Sequence, residues 1–221
     1  MRDRRFLWVT IFALAMAYVE ASVVVYLRRV LGVADLLRDV PLYDPAITAI
    51  EIGREAATLV MLLAAGSATG RTPAARIGFA LYAFGLWDIL YYVWLRALIG
   101  WPASLLTADV LFLIPLPWWG PVVAPVLIAI PCVLFGAVLV VRGEAGTLAR
   151  AGGVAWAALA AGTALLLHAF MADAIRRLPA AAEDLARLKP GPFNWPEYLA
   201  GLLVMGAALA RLARSPRRRR G

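Results

Sequence analysis

Residues 46–66 read AITAIEIGREAATLVMLLAAG, an apolar run of helix length with Glu51, Arg54 and Glu55 set inside it. About 20 mostly apolar residues are what an α-helix needs to cross the hydrocarbon layer of a bilayer. A charge near the middle of that layer costs roughly 3 kcal/mol by insertion scales, so ionisable groups within a span turn to a protein interior and act there. Spacing adds geometry. Glu51 and Glu55 are four residues apart, hence on one helix face about 6 Å from each other, and Arg54, three beyond Glu51, lies beside it. The stretch therefore predicts a membrane helix that carries part of a polar site.

Composition extends that reading to the whole chain. Its 221 residues are 63% hydrophobic, with mean hydropathy +0.78, whereas a soluble domain is roughly 45 to 50% apolar. The fold class expected is an all-α integral membrane protein. A net charge of +8 would suggest nucleic acid in a soluble chain, but among long apolar runs the basic residues report topology, and no nucleic-acid partner is expected. The single cysteine, Cys132, allows no internal disulfide and no thiolate metal cluster. The near absence of lysine, with Lys189 alone among the arginines, suggests a bacterium with a GC-rich genome, and hence an inner-membrane location.

Six runs are long and apolar enough to span, at about 6–26, 46–66, 77–98, 121–141, 153–172 and 196–212, within one transmembrane domain covering 1–221. Residues 103–115 are too few to span and end among Pro115, Pro117 and Pro121, so they are read as a re-entrant or interfacial half-helix. The N-terminus imitates a signal peptide with Ala15-Met16-Ala17 as cleavage site, but the apolar run continues past it, which favours an uncleaved first helix. With the N-terminus inside, 13 basic residues fall in cytoplasmic segments and 8 in outer ones. That bias predicts cytoplasmic N- and C-termini. Trp94, Trp101, Trp118, Trp119 and Trp195 then lie at the outer interface and Trp8 and Trp156 at the inner one. The outer loop 173–195 is expected to hold a short helix at 180–188, and the basic tail 213–221 to contact anionic membrane lipids.

In this orientation Glu20, Glu51, Glu55, Asp88 and His168 share one depth band in or near the outer half of the bilayer. Random placement would scatter them over both leaflets. Tyr91 and Tyr92 stand three and four residues beyond Asp88, on its side of the third helix. Asp109, with Thr107, lies on the 103–115 segment above the same region. A ligand- or cation-binding site of Glu20, Glu51, Arg54, Glu55, Asp88, Tyr91, Tyr92, Asp109 and His168 is therefore expected. The bland reading beside it makes Arg54 with Glu51 or Glu20 an ion pair that only fixes helix packing, and His168 a hydrogen-bonded packing residue. Four membrane carboxylates outnumber Arg54 and His168, so some must be protonated or matched by a metal ion or a cationic ligand.

Several chemistries are excluded. One histidine cannot form a bis-histidine haem site or a three-histidine zinc site. A divalent metal held by Glu20, Glu51, Glu55, Asp88 and His168 stays open, and these hard ligands suit magnesium, calcium, manganese or iron. No glycine-rich phosphate loop follows a strand, so no nucleotide is expected. Glu51-Ile52-Gly53-Arg54-Glu55 resembles the acidic and arginine motif of the prenyl-protein protease family, but that family's adjacent glutamate pair and additional histidines are missing here, and no role is carried over.

Membrane carboxylates occur in the first three helices and not in the last three, which argues against an inverted-repeat transporter but leaves room for an oligomer, such as a dimer. The leading expectation is a multi-pass inner-membrane protein that binds a proton or cation in transport. Glu51 and Glu55 would bind or carry it, Glu20 and Asp88 would complete the site, and Arg54 would tune them. The alternative is a metal-dependent or acid–base enzyme acting on a lipid or other apolar substrate, with His168 assisting. A third reading is a structural or assembly subunit.

Overall fold

The computed structural model describes residues 4–33, 39, 43–148 and 152–213. Among them are seven helices and two short strands: α1 (Arg4–Val30), α2 (Pro45–Thr69), α3 (Pro73–Ile99), β1 (Ala108–Val110), β2 (Trp119–Pro121), α4 (Val123–Glu144), α5 (Gly153–Arg177), α6 (Ala182–Ala186) and α7 (Trp195–Leu212). The basic tail beyond residue 213 lies outside the described residues.

Local chemistry sets the helix ends. Asp44 accepts hydrogen bonds from the Ala46 and Ile47 amides ahead of α2, Thr72 from Ala75 ahead of α3, and Asn194 from Glu197 ahead of α7. In each case proline occupies one of the first helical positions, where its missing N–H is no loss. Gly100 closes α3 in the left-handed conformation at φ 69°. These polar caps extend the helices beyond their apolar windows, and α1 runs on to Arg28 and Arg29 in its last turn.

The half-helix expected at 103–115 is not there. Instead β1 and β2 form an antiparallel hairpin with Ala108 opposite Pro121, Asp109 opposite Gly120 and Val110 opposite Trp119. Leu111 N–H donates to Trp118 C=O at 2.9 Å and Trp118 N–H to Phe112 C=O at 2.8 Å, continuing the pairing towards the tip. The physical reason is proline. Pro115, Pro117 and Pro121 remove donors that a helix would need and bias the residues before them to extended backbone, so amides here are satisfied across the hairpin. The short helix expected at 180–188 is present as α6.

Helix α3 is the axis of the fold, packed against α4, α1 and α2, while α5 pairs with α7. One apolar cluster joins Val9, Met16, Leu62, Phe79, Trp87 and Val140 across the first four helices. A second joins Ala124, Leu166, Phe170, Tyr198 and Met205, and the Tyr198 hydroxyl donates to Ala124 C=O at 2.7 Å to bind α7 to α4. The hairpin seats on α5, where a Cβ at Gly120 would stand 2.8 Å from the Phe170 ring. Helices α1, α3, α4 and α5 are long and apolar enough to cross a membrane, and large apolar side chains such as Leu7, Trp8, Leu63, Val154 and Leu203 are exposed on the outside of the bundle. A bilayer is the surrounding that covers such a surface, so the protein is membrane-embedded.

The α3–α4 contact depends on backbone approach at glycine. A Cβ on Gly78 would meet Gly136 C=O at 2.7 Å and Val140 N at 2.9 Å, whereas one on Gly53 would meet nothing within 4 Å. Gly78→Ala should therefore destabilise the detergent-solubilised protein by about 1 to 3 kcal/mol through overpacking. Gly53→Ala should leave its melting temperature unchanged or higher, which thermal unfolding of the two variants beside the parent checks directly.

Candidate functional site

Beneath the hairpin lies a cavity of about 430 Å³ walled by α1, α2, α3, α4 and α5, with α6 at its edge. Glu20, Glu51, Arg54, Glu55, Asp88, Tyr91, Tyr92 and Asp109 all line it. His168 does not. It sits on α5 with Nδ1 2.6 Å from Glu197 Oε1, half-exposed, and Glu197 in turn accepts from Asn194 Nδ2 at 2.8 Å.

The polar residues of the cavity form separate constellations. Arg54 Nε donates to Glu51 Oε2 at 2.8 Å and Nη2 to Glu51 Oε1 at 2.5 Å, a bidentate pair along α2. Its Nη1 pairs with Glu20 Oε1 on α1, and the Thr58 hydroxyl donates to Glu20 Oε2 at 3.2 Å. One guanidinium is thus held between two carboxylates and ties α1 to α2.

Glu55 has another task. It is 4% exposed, and both of its carboxylate oxygens accept from the Leu113 amide, at 3.0 and 2.9 Å. The tip of the hairpin is anchored there. Nearer the C-terminal ends of α1 and α3, the Tyr92 hydroxyl donates to Asp109 Oδ2 at 3.1 Å and Arg28 Nη2 stands 3.6 Å from Asp109 Oδ1. Arg28 also lies over the Trp101 ring, 3.9 Å from its centroid.

Asp88 differs from these. Its Oδ2 is buried with no hydrogen-bond partner among the described residues, and the same is true of the indole nitrogens of Trp87, Trp118 and Trp119. All four residues line the cavity. Around them stands an aromatic wall: Trp87 lies 5.7 Å from Phe84, 6.5 Å from Tyr91 and 6.4 Å from Phe112, and Trp118 lies 5.3 Å from Phe112 and 6.1 Å from Phe170 between centroids. Chemically, the cavity combines one carboxylate without a hydrogen-bond partner among the described residues with a lining rich in aromatic rings.

The ligand set Glu20, Glu51, Glu55, Asp88 and His168 is not assembled. Among the described residues no three His, Cys, Asp or Glu side chains gather as metal ligands would. Arg54 occupies the space between Glu20 and Glu51, Glu55 is turned to the hairpin, and His168 faces α7. Sequence reasoning also missed Arg28, Phe112, Leu113, Trp118 and Phe170 as neighbours of the site. Arg28 had a usable signal, since it lies eight residues, about two turns, beyond Glu20 and so on the same face of α1.

Burial pushes the Asp109 carboxyl up to about 6 from its ordinary 3.8, against the opposing pull of Arg28 and the bonds from Tyr92 and the Val110 amide. The folded protein therefore holds this proton more tightly than the unfolded chain does, so Asp109 favours folding most below pH 3.8 and that contribution is lost as pH rises through about 6. Melting temperatures of the parent should fall relative to Asp109→Asn over this interval and run parallel above it. Parallel profiles from pH 4 to pH 7 would show that Asp109 does not titrate there.

No family model, no curated protein and no solved structure matches the chain, so its functional reading rests on the cavity and the residues around it.

Proposed function

We propose that the protein crosses a bacterial inner membrane six times, with both termini cytoplasmic, and that the cavity binds a proton or cation as part of transport. Support for the two spans beyond α1, α3, α4 and α5 comes from geometry. The charged turn of α2 faces the cavity lining rather than its outer surface, where Ile50, Val60 and Leu63 are exposed, and the 18 residues of α7 reach about 27 Å. The orientation rests on the basic residues. At the opposite end of the fold from the cavity, Arg5 forms a bidentate pair with Glu144, each oxygen 2.6 Å from a guanidinium nitrogen, and Glu144 Oε1 accepts from the Arg71 amide at 3.2 Å. This closes the ends of α1, α2 and α4 on the side read as cytoplasmic.

The observation that carries the proposal is the buried, unpartnered Oδ2 of Asp88 beside the cavity. An ionised carboxylate there has nothing among the described residues to offset it, so a proton or an incoming cation must do so. The cation role expected of Glu51 and Glu55 passes to Asp88, because those two already bind Arg54 and Leu113. The reading as a lipid-modifying enzyme has less support, since His168, its assisting group, lines a different part of the molecule.

Charge displacement tests this without knowledge of the substrate. Proteoliposomes on a solid-supported membrane should give a transient current after a pH step, and Asp88→Asn should reduce it at least tenfold while reconstituting equally well. Equal currents from both proteins, or none from either under pH, sodium, magnesium and organic-amine steps, would remove the proposal.

A further inference from the structure

We infer that the cation taken by this cavity is organic: an amine on an apolar body, seated with its charge at Asp88 and its body among the aromatic rings. The inference rests on the proposed cation-binding role and narrows it. Its first ground is charge. Among the lining carboxylates, Glu20 and Glu51 share Arg54, Glu55 accepts from the Leu113 amide, and Asp109 meets Arg28 and Tyr92, so Asp88 is the one with no cationic or hydrogen-bonding partner among the described residues, and the negative charge left at the site favours a cation. A divalent metal ion needs several oxygen ligands at once, and no group of three acidic, histidine or cysteine side chains gathers among the described residues.

The second ground is size and surface. About 430 Å³ lies within the range of about 300 to 1,000 Å³ typical of small-molecule sites, which are apolar with a few placed polar groups. Trp87, Tyr91, Phe84, Phe112 and Trp118 line the cavity together with Asp88, and aromatic surroundings attract an alkylated or protonated amine.

Berberine, a planar organic monocation with ether oxygens whose fluorescence rises in apolar sites, is the probe. It should bind the full-length protein in phosphatidylglycerol nanodiscs saturably, be displaced by tetraphenylphosphonium, and bind at least tenfold more weakly to Asp88→Asn. Trp118→Leu, which removes a ring and leaves the carboxylate, should weaken it threefold or more. Magnesium, calcium and manganese at 1 mM should not compete. Repetition in phosphatidylethanolamine nanodiscs separates two sources of the same chemistry. Unchanged affinity supports a free amine, and tenfold weaker binding supports the ammonium head of a lipid. No saturable binding, equal affinity in parent and both variants, or displacement by a divalent ion would overturn the inference. If berberine fails while the pH-step current persists in the parent and is lost in Asp88→Asn, the organic cation alone is wrong. If both fail, the cation site itself is wrong.

Discussion

A guanidinium inside a helix bundle is tolerated only where acceptors meet it, because the desolvation of an unpaired buried charge costs several kcal/mol. Arg54 meets that condition through two helices at once, with Glu51 on its own turn and Glu20 on α1. The rotation of α2 about its axis is fixed by this requirement. Once Arg54 points at Glu20, Glu55, one residue on and about 100° round, is directed to the hairpin, where it finds the Leu113 amide. The same rotation leaves Gly53, Ile50 and Val60 outside. Removing the arginine would therefore disturb more than one ion pair, since the position of the hairpin depends on it through Glu55.

The hairpin depends on the helices as much as they shape the cavity for it. Non-helical backbone at the rim of a membrane bundle needs partners for its amides and carbonyls, and here they come from the opposing strand and from Glu55, while contact with Phe170 seats the hairpin on α5. Its side chains then complete the cavity, with Asp109 on β1, Trp119 on β2 and Phe112 and Trp118 between the strands. Roof and floor belong to segments far apart in sequence. Glu55 and Leu113 are 58 residues apart, and Tyr198 reaches back 74 residues to Ala124.

What could be read from the chain beforehand was what periodicity and helix length encode. Helix α2 followed from its apolar length and from Asp44-Pro45, and Glu20, Glu51, Glu55 and Asp88, grouped by counting rise per residue, line one cavity. Pairing did not follow. Which carboxylate Arg54 takes, and that Glu55 binds backbone rather than a ligand, are set by the relative rotation of α1, α2 and the hairpin, a tertiary fact with no local signal. His168, grouped with them by expected depth, meets Glu197 and lies outside the cavity lining, because depth does not say which neighbour a helix face meets. The 103–115 segment is a hairpin and not the expected half-helix, and an apolar window looks alike in both. The spacing of Pro115, Pro117 and Pro121 distinguishes them, because it counts against a helix through the segment as well as ending one.

The anchor at Leu113 is made through its amide and not its side chain. Any residue except proline can therefore supply the bond, and the identity of the tip residues is uncoupled from the place the tip occupies. Drift in sequence at 112–114 would recontour the roof of the cavity while its attachment to α2 stayed intact. Glu55 fixes a scaffold there whose contact surface remains open to selection, so descendants of this chain could acquire different ligand preferences without rebuilding the bundle beneath.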